Sequence, residues 1–385
     1  MRRRVLVAHP KLGFVGGGNL VAAWALEALR EEFQVTLATL VPVDLGALNK
    51  SFGTSLQDGD FELRIAPRRY LAFLERVPTQ GALMEIALTT RWARKLAAQD
   101  SFDVLLSTHN ELDFGRPGLQ YVHYPWAYLP RPSIEQRWFH RIPSVLAGYR
   151  GVCQLVSGGR AQGVRANLSL ANSEFVAGKI KHVYGVDAEV LYPPAPGGYP
   201  DIPWEQRRQA AVAIGRMHEV KRWEMAVEIV DLVRSRGVDL GLTLINQPQE
   251  SAYARRIAAM AASRPWFRIL TGLPREQLAQ EVAQHRYGIH TMEDEHFGIA
   301  VAEILCAGCI PFVHDSGGPV EIVGRREELR FDTAEEGAAA MAAVAGDGAL
   351  RERLRAALAE QRKRFSTERF CSSLRELARS FAGPQ

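Results

Sequence analysis

Tyr192-Pro193-Pro194-Ala195-Pro196-Gly197-Gly198-Tyr199-Pro200 interrupts a chain that otherwise alternates short apolar runs with helical patterns. Proline fixes φ and lacks a backbone N–H, so this cluster continues neither a helix nor a central strand. It reads as the linker between two domains. Upstream of it, Arg4 to Ala8, Gln34 to Thr39, Val104 to Ser107, Gln120 to His123, Leu168 to Ala171 and Glu189 to Leu191 read as strands, with a helix over Asn19 to Arg30. Downstream, strands are expected at Ala211 to Ile214, Gly241 to Ile245, Arg268 to Leu270, Gly288 to His290 and Ile310 to Val313, with a helix from Trp223. After about Thr333 only helical patterns remain. Strands alternating with helices imply β-α-β units, hence an α/β fold with parallel sheets covered by helices on both faces.

The whole chain agrees with that division. Its 385 residues suit about two domains. With 47% apolar and 23% charged residues it has ordinary globular composition, neither disordered nor membrane-spanning. A formal charge of +4 does not point to nucleic acid, though it leaves room for a local basic patch. Met1-Arg2-Arg3-Arg4 followed by Val5-Leu6-Val7-Ala8 imitates a signal peptide, but the apolar run breaks at His9-Pro10 and reads as a first buried strand. No later run approaches the ~18 apolar residues of a membrane span, so the expectation is a cytoplasmic protein, at most peripheral on the inner membrane face. Four cysteines do not make a disulfide framework. Cys306-Ala307-Gly308-Cys309 reads as a helix-to-strand turn rather than a redox or zinc motif, since no second CxxC completes a metal site.

Two doubly wound, Rossmann-like domains facing across a cleft make the GT-B architecture, with ligands at the carboxyl ends of the strands. The boundaries read as 1–194 and 195–364. Within the second domain, Glu295 and Glu303 stand with seven residues between them, beside a helix expected to begin near Phe297. Amides of Phe297, Gly298 and Ile299 at that helix start would suit a diphosphate. Acidic residues capping a first turn are an equally ordinary explanation of the spacing.

Glu295 to Glu303, followed by Cys306-Ala307-Gly308-Cys309-Ile310-Pro311, resembles the E-x7-E signature of family-4 retaining glycosyltransferases. His290-Thr291-Met292, Glu295-His296-Phe297-Gly298-Ile299 and His314-Asp315-Ser316-Gly317-Gly318-Pro319 are similar to one subfamily, the GDP-mannose-dependent α-1,2-mannosyltransferases of lipid-linked oligosaccharide synthesis. Tyr121-Val122-His123-Tyr124-Pro125, Ala171-Asn172-Ser173 and Tyr192-Pro193-Pro194 match its other landmarks in order. The resemblance implies that Glu303 binds the donor ribose. It implies that Glu295 faces the transferred sugar, with the backbone of His296, Phe297, Gly298 and Ile299 holding sugar and phosphate. Ile214-Gly215-Arg216-Met217-His218-Glu219-Val220-Lys221 resembles the strand-end GR…K element, so Arg216 and Lys221 would clamp the diphosphate, standing in for a metal. Gly17 and Gly18 of Gly16-Gly17-Gly18-Asn19 would contact the donor phosphate and acceptor, His123 the donor sugar, and Leu273 the nucleobase through its backbone. A last helix, about 365–385, would return to the first domain.

No cofactor or metal is expected. His290 and His296 with Glu293, Asp294 and Glu295 match no H-E-x-x-H arrangement. Asp315-Ser316-Gly317-Gly318-Pro319 copies a trypsin-like nucleophile segment, but an α/β chain lacks the all-β context that segment needs. On the acceptor side, Trp126, Tyr128, Trp138 and Phe139 mix with Arg131, Arg137, Arg141 and Arg150, and Arg64, Arg68 and Arg69 with Tyr70 and Phe73. Such stretches suit an anionic membrane surface, a phosphorylated acceptor or a plain domain surface. The expected partners are a nucleotide-sugar donor and a glycan, lipid-linked or small-molecule acceptor. A UDP-sugar transferase, a nucleotide-sugar epimerase or hydrolase, and a non-catalytic nucleotide-sugar binder are the alternatives.

Overall fold

The computed structural model describes residues 2–13, 15–76, 82–127 and 142–383. The chain divides into two compact units, Met1–Pro194 with Glu368–Gln385, and Ala195–Thr367.

The first unit is built on β1 (Arg4–Ala8), β2 (Gln34–Thr39), β3 (Phe61–Ile65), β4 (Val104–Ser107), β5 (Leu119–Val122), β6 (Leu168–Ala171) and β7 (Ala188–Val190), in the order β3-β2-β1-β4-β5-β6-β7. Every pairing is parallel. Val5, Leu6, Val7 and Ala8 of the central β1 have no exposed surface, as expected of a parallel strand covered on both faces. The helix expected over Asn19 to Arg30 runs from Gly17 to Leu29, starting two residues early because Gly16, at φ 97°, takes the N-cap. The C-terminal helix Thr367–Phe381 lies against that helix within the same unit: Arg375 pairs with Glu31 at 2.5 Å, Arg379 with Glu32 at 2.5 Å, and Phe370 meets Tyr121 edge-on.

The second unit is built on β8 (Arg208–Ile214), β9 (Gly241–Asn246), β10 (Phe267–Thr271), β11 (His285–His290), β12 (Ile310–His314) and β13 (Arg330–Phe331), ordered β10-β9-β8-β11-β12-β13 and parallel throughout. Close packing of helix on sheet is visible at Gly288, where a Cβ would stand 2.3 Å from Ile304 Cγ2. Both sheets are therefore doubly wound. The strand order reverses between β1 and β4 in one and between β8 and β11 in the other, and such switch points open crevices at the carboxyl ends of the strands. β3 and β13 were not expected from the sequence. The described residues of the Tyr124 to Arg150 stretch stop at Ala127 and resume at Ile142, so Tyr128, Arg131, Arg137, Trp138, Phe139 and Arg141 lie outside them.

Candidate functional site

In the second unit the chain leaves β8 at Ile214 and β11 at His290, the two strands flanking the switch point. Each contributes one member of a charged pair. Lys221, at the end of a short 3-10 turn (Glu219–Lys221), places Nζ 2.5 Å from Oε2 of Glu295. Only 12% of the lysine side chain and 20% of the glutamate side chain are exposed. The buried His290 ring, at the end of β11, brings Nε2 to 3.5 Å from the same oxygen. Burial pushes the Glu295 carboxyl up, but the Lys221 ammonium, with His290 and His296, outweighs it and holds the group well below the usual carboxylate range. His290 itself is lowered, mainly by burial, and so stays neutral near pH 7. Oε1 of Glu295 has no hydrogen-bond donor among the described residues, leaving a fixed anionic acceptor. Arg216, immediately after β8, is exposed, and its guanidinium has no partner among the described residues.

The loop that carries Glu295 is held from behind. Asp294 sits at φ 49°, with its amide bonded to Ser316 Oγ at 2.8 Å, and Gly318 donates its amide to Glu295 O at 2.9 Å. A Cβ at Gly317 would lie 2.3 Å from Glu295 O, and one at Gly318 2.5 Å from Phe297 Cα. The segment that imitates a protease nucleophile is thus a backbone support, and Ser316 Oγ is engaged by Asp294 and by His314 Nδ1 at 2.9 Å.

The helix expected near Phe297 begins at Ile299 and ends at Cys306. Phe297 turns its ring inward against Phe365, and Gly298, at φ 96°, takes the N-cap that a side chain would strain to adopt. Glu303 faces inward from this helix, buried, with Oε1 in an ion pair to Arg275. Arg275 also donates to Pro196 O at 2.8 Å and Tyr199 OH at 3.0 Å. Sequence reading missed Arg275. The available signal was its place at the first position of helix Arg275–Ala283, where the dipole disfavours a cation unless a carboxylate holds it. Leu273, two residues earlier, packs on the apolar cluster containing Val212, Ile245 and Ile304.

The first unit brings a second group together at its own switch point. The helix start holding Gly17 and Gly18 adjoins three histidines from the ends of β1, β4 and β5. A Cβ on Gly18 would be 3.5 Å from His123 Nε2 and 3.8 Å from His109 Nδ1. His123 is committed, with Nε2 donating to Thr108 O at 3.0 Å. His9 is held between Thr108 Oγ1 at 3.0 Å and Asn19 Oδ1 at 2.9 Å, and burial chiefly lowers it to about 4. His109, which sequence reading passed over, has a buried Nδ1 with no hydrogen-bond partner among the described residues. Burial, then the neighbouring His9 and His123, keeps its ring neutral.

Among the described residues no group of three or more His, Cys, Asp or Glu is arranged to hold a metal ion. Cys306 and Cys309 are free thiols, raised to about 12 by burial. No described helix is long and apolar enough to cross a membrane.

The segment from the linker through β8, the Lys221–Glu295 pair and Glu303 is the part of the chain that matches a known family. Residues 200–362 match the family model described as glycosyl transferases group 1. A Dictyostelium discoideum relative named GDP-Man:Man(3)GlcNAc(2)-PP-Dol alpha-1,2-mannosyltransferase is 45% identical over 60 residues, 16% of this chain and 12% of its own length. The relative of that name from Candida glabrata is 24% identical over 237 residues, 54% of this chain and 45% of its own. The chain thus spans less than half the length of these curated relatives. The crystal structure of a glycosyltransferase from Rickettsia africae ESF-5 has a TM-score of 0.66 at 13% identity, covering 100% of both chains. The fold is GT-B, and the match to the group 1 model falls within its second unit.

Proposed function

We propose that the group 1 domain makes this chain a retaining glycosyltransferase. It takes mannose from GDP-mannose, without a metal, to a hydroxyl of a glycan, lipid-linked or small-molecule acceptor. The observation that carries this reading is the Lys221–Glu295 pair at the β8/β11 switch point, with Glu295 Oε1 unclaimed and Arg216 exposed in the same loop as Lys221. As the bond from the anomeric carbon to the diphosphate oxygen breaks, negative charge grows on the leaving group, where Arg216 and Lys221 stabilise it. Glu295, ionised at neutral pH, holds a sugar hydroxyl and stabilises the positive charge on the ring. The acceptor oxygen bonds to the same face of the anomeric carbon, and its proton passes to the leaving phosphate oxygen. Configuration is kept without a protein nucleophile. Glu303, oriented by Arg275, takes the ribose hydroxyls. Leu273 lines the nucleobase, and the backbone from His296 to Ile299 holds sugar and phosphate. In the first unit Gly17, Gly18 and His123 meet substrate, and His109 joins them through its unpartnered Nδ1.

The acceptor reading favours a lipid-linked glycan. Val145, Val152 and Leu155 recur on one face of helix Pro143–Ser157 at 40%, 49% and 81% exposure, a pattern suited to resting on a membrane surface.

The test is a thermal-shift screen against GDP, UDP, ADP and their sugar conjugates in EDTA, followed by NMR of the product anomer. Stabilisation by GDP and GDP-mannose, lost in Glu303→Ala, with an α-linked product, supports the reading. Preference for UDP-sugars refutes the donor, and donor turnover without an acceptor moves the chain to an epimerase or hydrolase.

A further inference from the structure

Within the second unit, a cavity of about 400 Å³ opens at the end of the sheet opposite the Lys221–Glu295 pair. Its wall includes Arg207, just before β8, and Gly308 to Ile310, at the start of β12, so it lies at the amino ends of the strands. Arg355 and Arg362 also line it, so that three arginines share its wall.

Two of the three, Arg207 and Arg362, have no carboxylate partner among the described residues. Arg207 is only 8% exposed, and it donates Nε to Ile202 O and Nη1 to Ala307 O, both at 2.9 Å. No carboxylate lies within ion-pair distance of it among the described residues. Arg362 has neither an ion pair nor a side-chain hydrogen bond among them. Arg355 is held 4.6 Å over the Trp204 ring and pairs at 2.7 Å with Glu352, whose side chain is 63% exposed and therefore well screened. Asp201, the other acidic residue of the wall, pairs with none of the three. Of the three, Arg207 is the buried cation without a counter-charge, which is costly, and arginine side chains lining one cavity offer planar forks that match a phosphoryl group.

We propose that this cavity binds a small phosphorylated, non-aromatic metabolite such as a sugar phosphate, its phosphoryl group held by Arg207, Arg355 and Arg362. The volume exceeds a bare phosphate and falls within the range of small-molecule sites, so an organic remainder is accommodated. Trp204 offers no platform for a base: it is buried, Arg355 covers one side, Arg286 lies 5.7 Å from its ring, and Tyr287 meets its edge. The remainder is therefore read by polar contacts, as a sugar is.

Calorimetric titration of the full chain with glucose 6-phosphate, inorganic phosphate and adenosine monophosphate tests this. Glucose 6-phosphate is expected to bind saturably, to bind Lys221→Ala as tightly as the unaltered chain, and to lose about tenfold in affinity in Arg362→Gln and in Arg355→Gln. Arg362 is exposed, so its variant keeps its melting behaviour and reports binding alone. Absence of saturable binding overturns the proposal. Binding lost in Lys221→Ala but untouched in the arginine variants also overturns it, by placing the phosphate at the diphosphate site. Equal affinity for inorganic phosphate, or preference for adenosine monophosphate, refutes the sugar-like remainder. None of these outcomes depends on the donor specificity proposed above.

Discussion

Removing one member of the Lys221–Glu295 pair should cost stability and activity through separable routes. The charges meet at 2.5 Å with 12% and 20% of their side chains exposed. Breaking a fully buried pair costs about 3–5 kcal/mol because the survivor is stranded, and discounting for partial exposure leaves about 2 kcal/mol for either single variant. Lys221→Met and Glu295→Gln should each lose that amount at pH 7, while the double variant loses less than their sum. The Glu295 carboxyl is held below its ordinary value of 4.5. The stability it supplies is therefore complete above that pH and fades as pH falls through the lower, folded-state value. Urea unfolding followed at pH 7 and at pH 3.5 should show the Glu295→Gln deficit shrinking in acid. Turnover of GDP-mannose should fall at least a hundredfold in Glu295→Gln even where the protein is fully folded. A deficit unchanged between the two pH values, or strictly additive variants, would refute the coupled pair.

Gly318→Ala should lose about 2 kcal/mol or more in thermal unfolding and depress turnover, because its Cβ would press on Phe297 Cα at 2.5 Å. Ala at Gly197, where nothing lies within 4 Å, serves as the control that should change little. Arg275→Ala should strand the buried Glu303 carboxylate and weaken GDP binding about tenfold, read by thermal shift; unchanged affinity would remove Glu303 from the nucleotide site. His9 is lowered from 6.5 to about 4, so the unfolded chain takes up a proton first and stability falls between those pH values. His9→Gln should flatten the pH dependence of unfolding in that window by about one proton.

Much of the architecture was legible because central parallel strands are written as apolar runs bounded by breakers. Arg4–Ala8, Gln34–Thr39, Val104–Ser107 and Leu168–Ala171 have the limits their sequence implies. β3 escaped notice because Phe61-Glu62-Leu63-Arg64-Ile65 is an edge strand with most of its residues exposed, and the two-residue β13 carries no periodicity. The Glu295 and Glu303 segment was legible by motif, but its partners were not. Arg275 lies 28 positions before Glu303, and only folding joins them. His109 looked like one more polar residue after a strand, since the hydrogen bonds that occupy His9 and His123 while sparing His109 Nδ1 exist only in three dimensions. Gly317 and Gly318 were legible as glycines but not as the backing of a loop more than twenty residues upstream.

That backing limits how the chain can be altered. Residues 294–297 and Gly317-Gly318 touch backbone to backbone, with no side chain between them to absorb a change. Neither segment can lengthen, shorten or exchange its glycines unless the other moves with it. For anyone grafting this loop between relatives, the unit of exchange is both segments together. A graft of the acidic loop alone would arrive without the floor that shapes it.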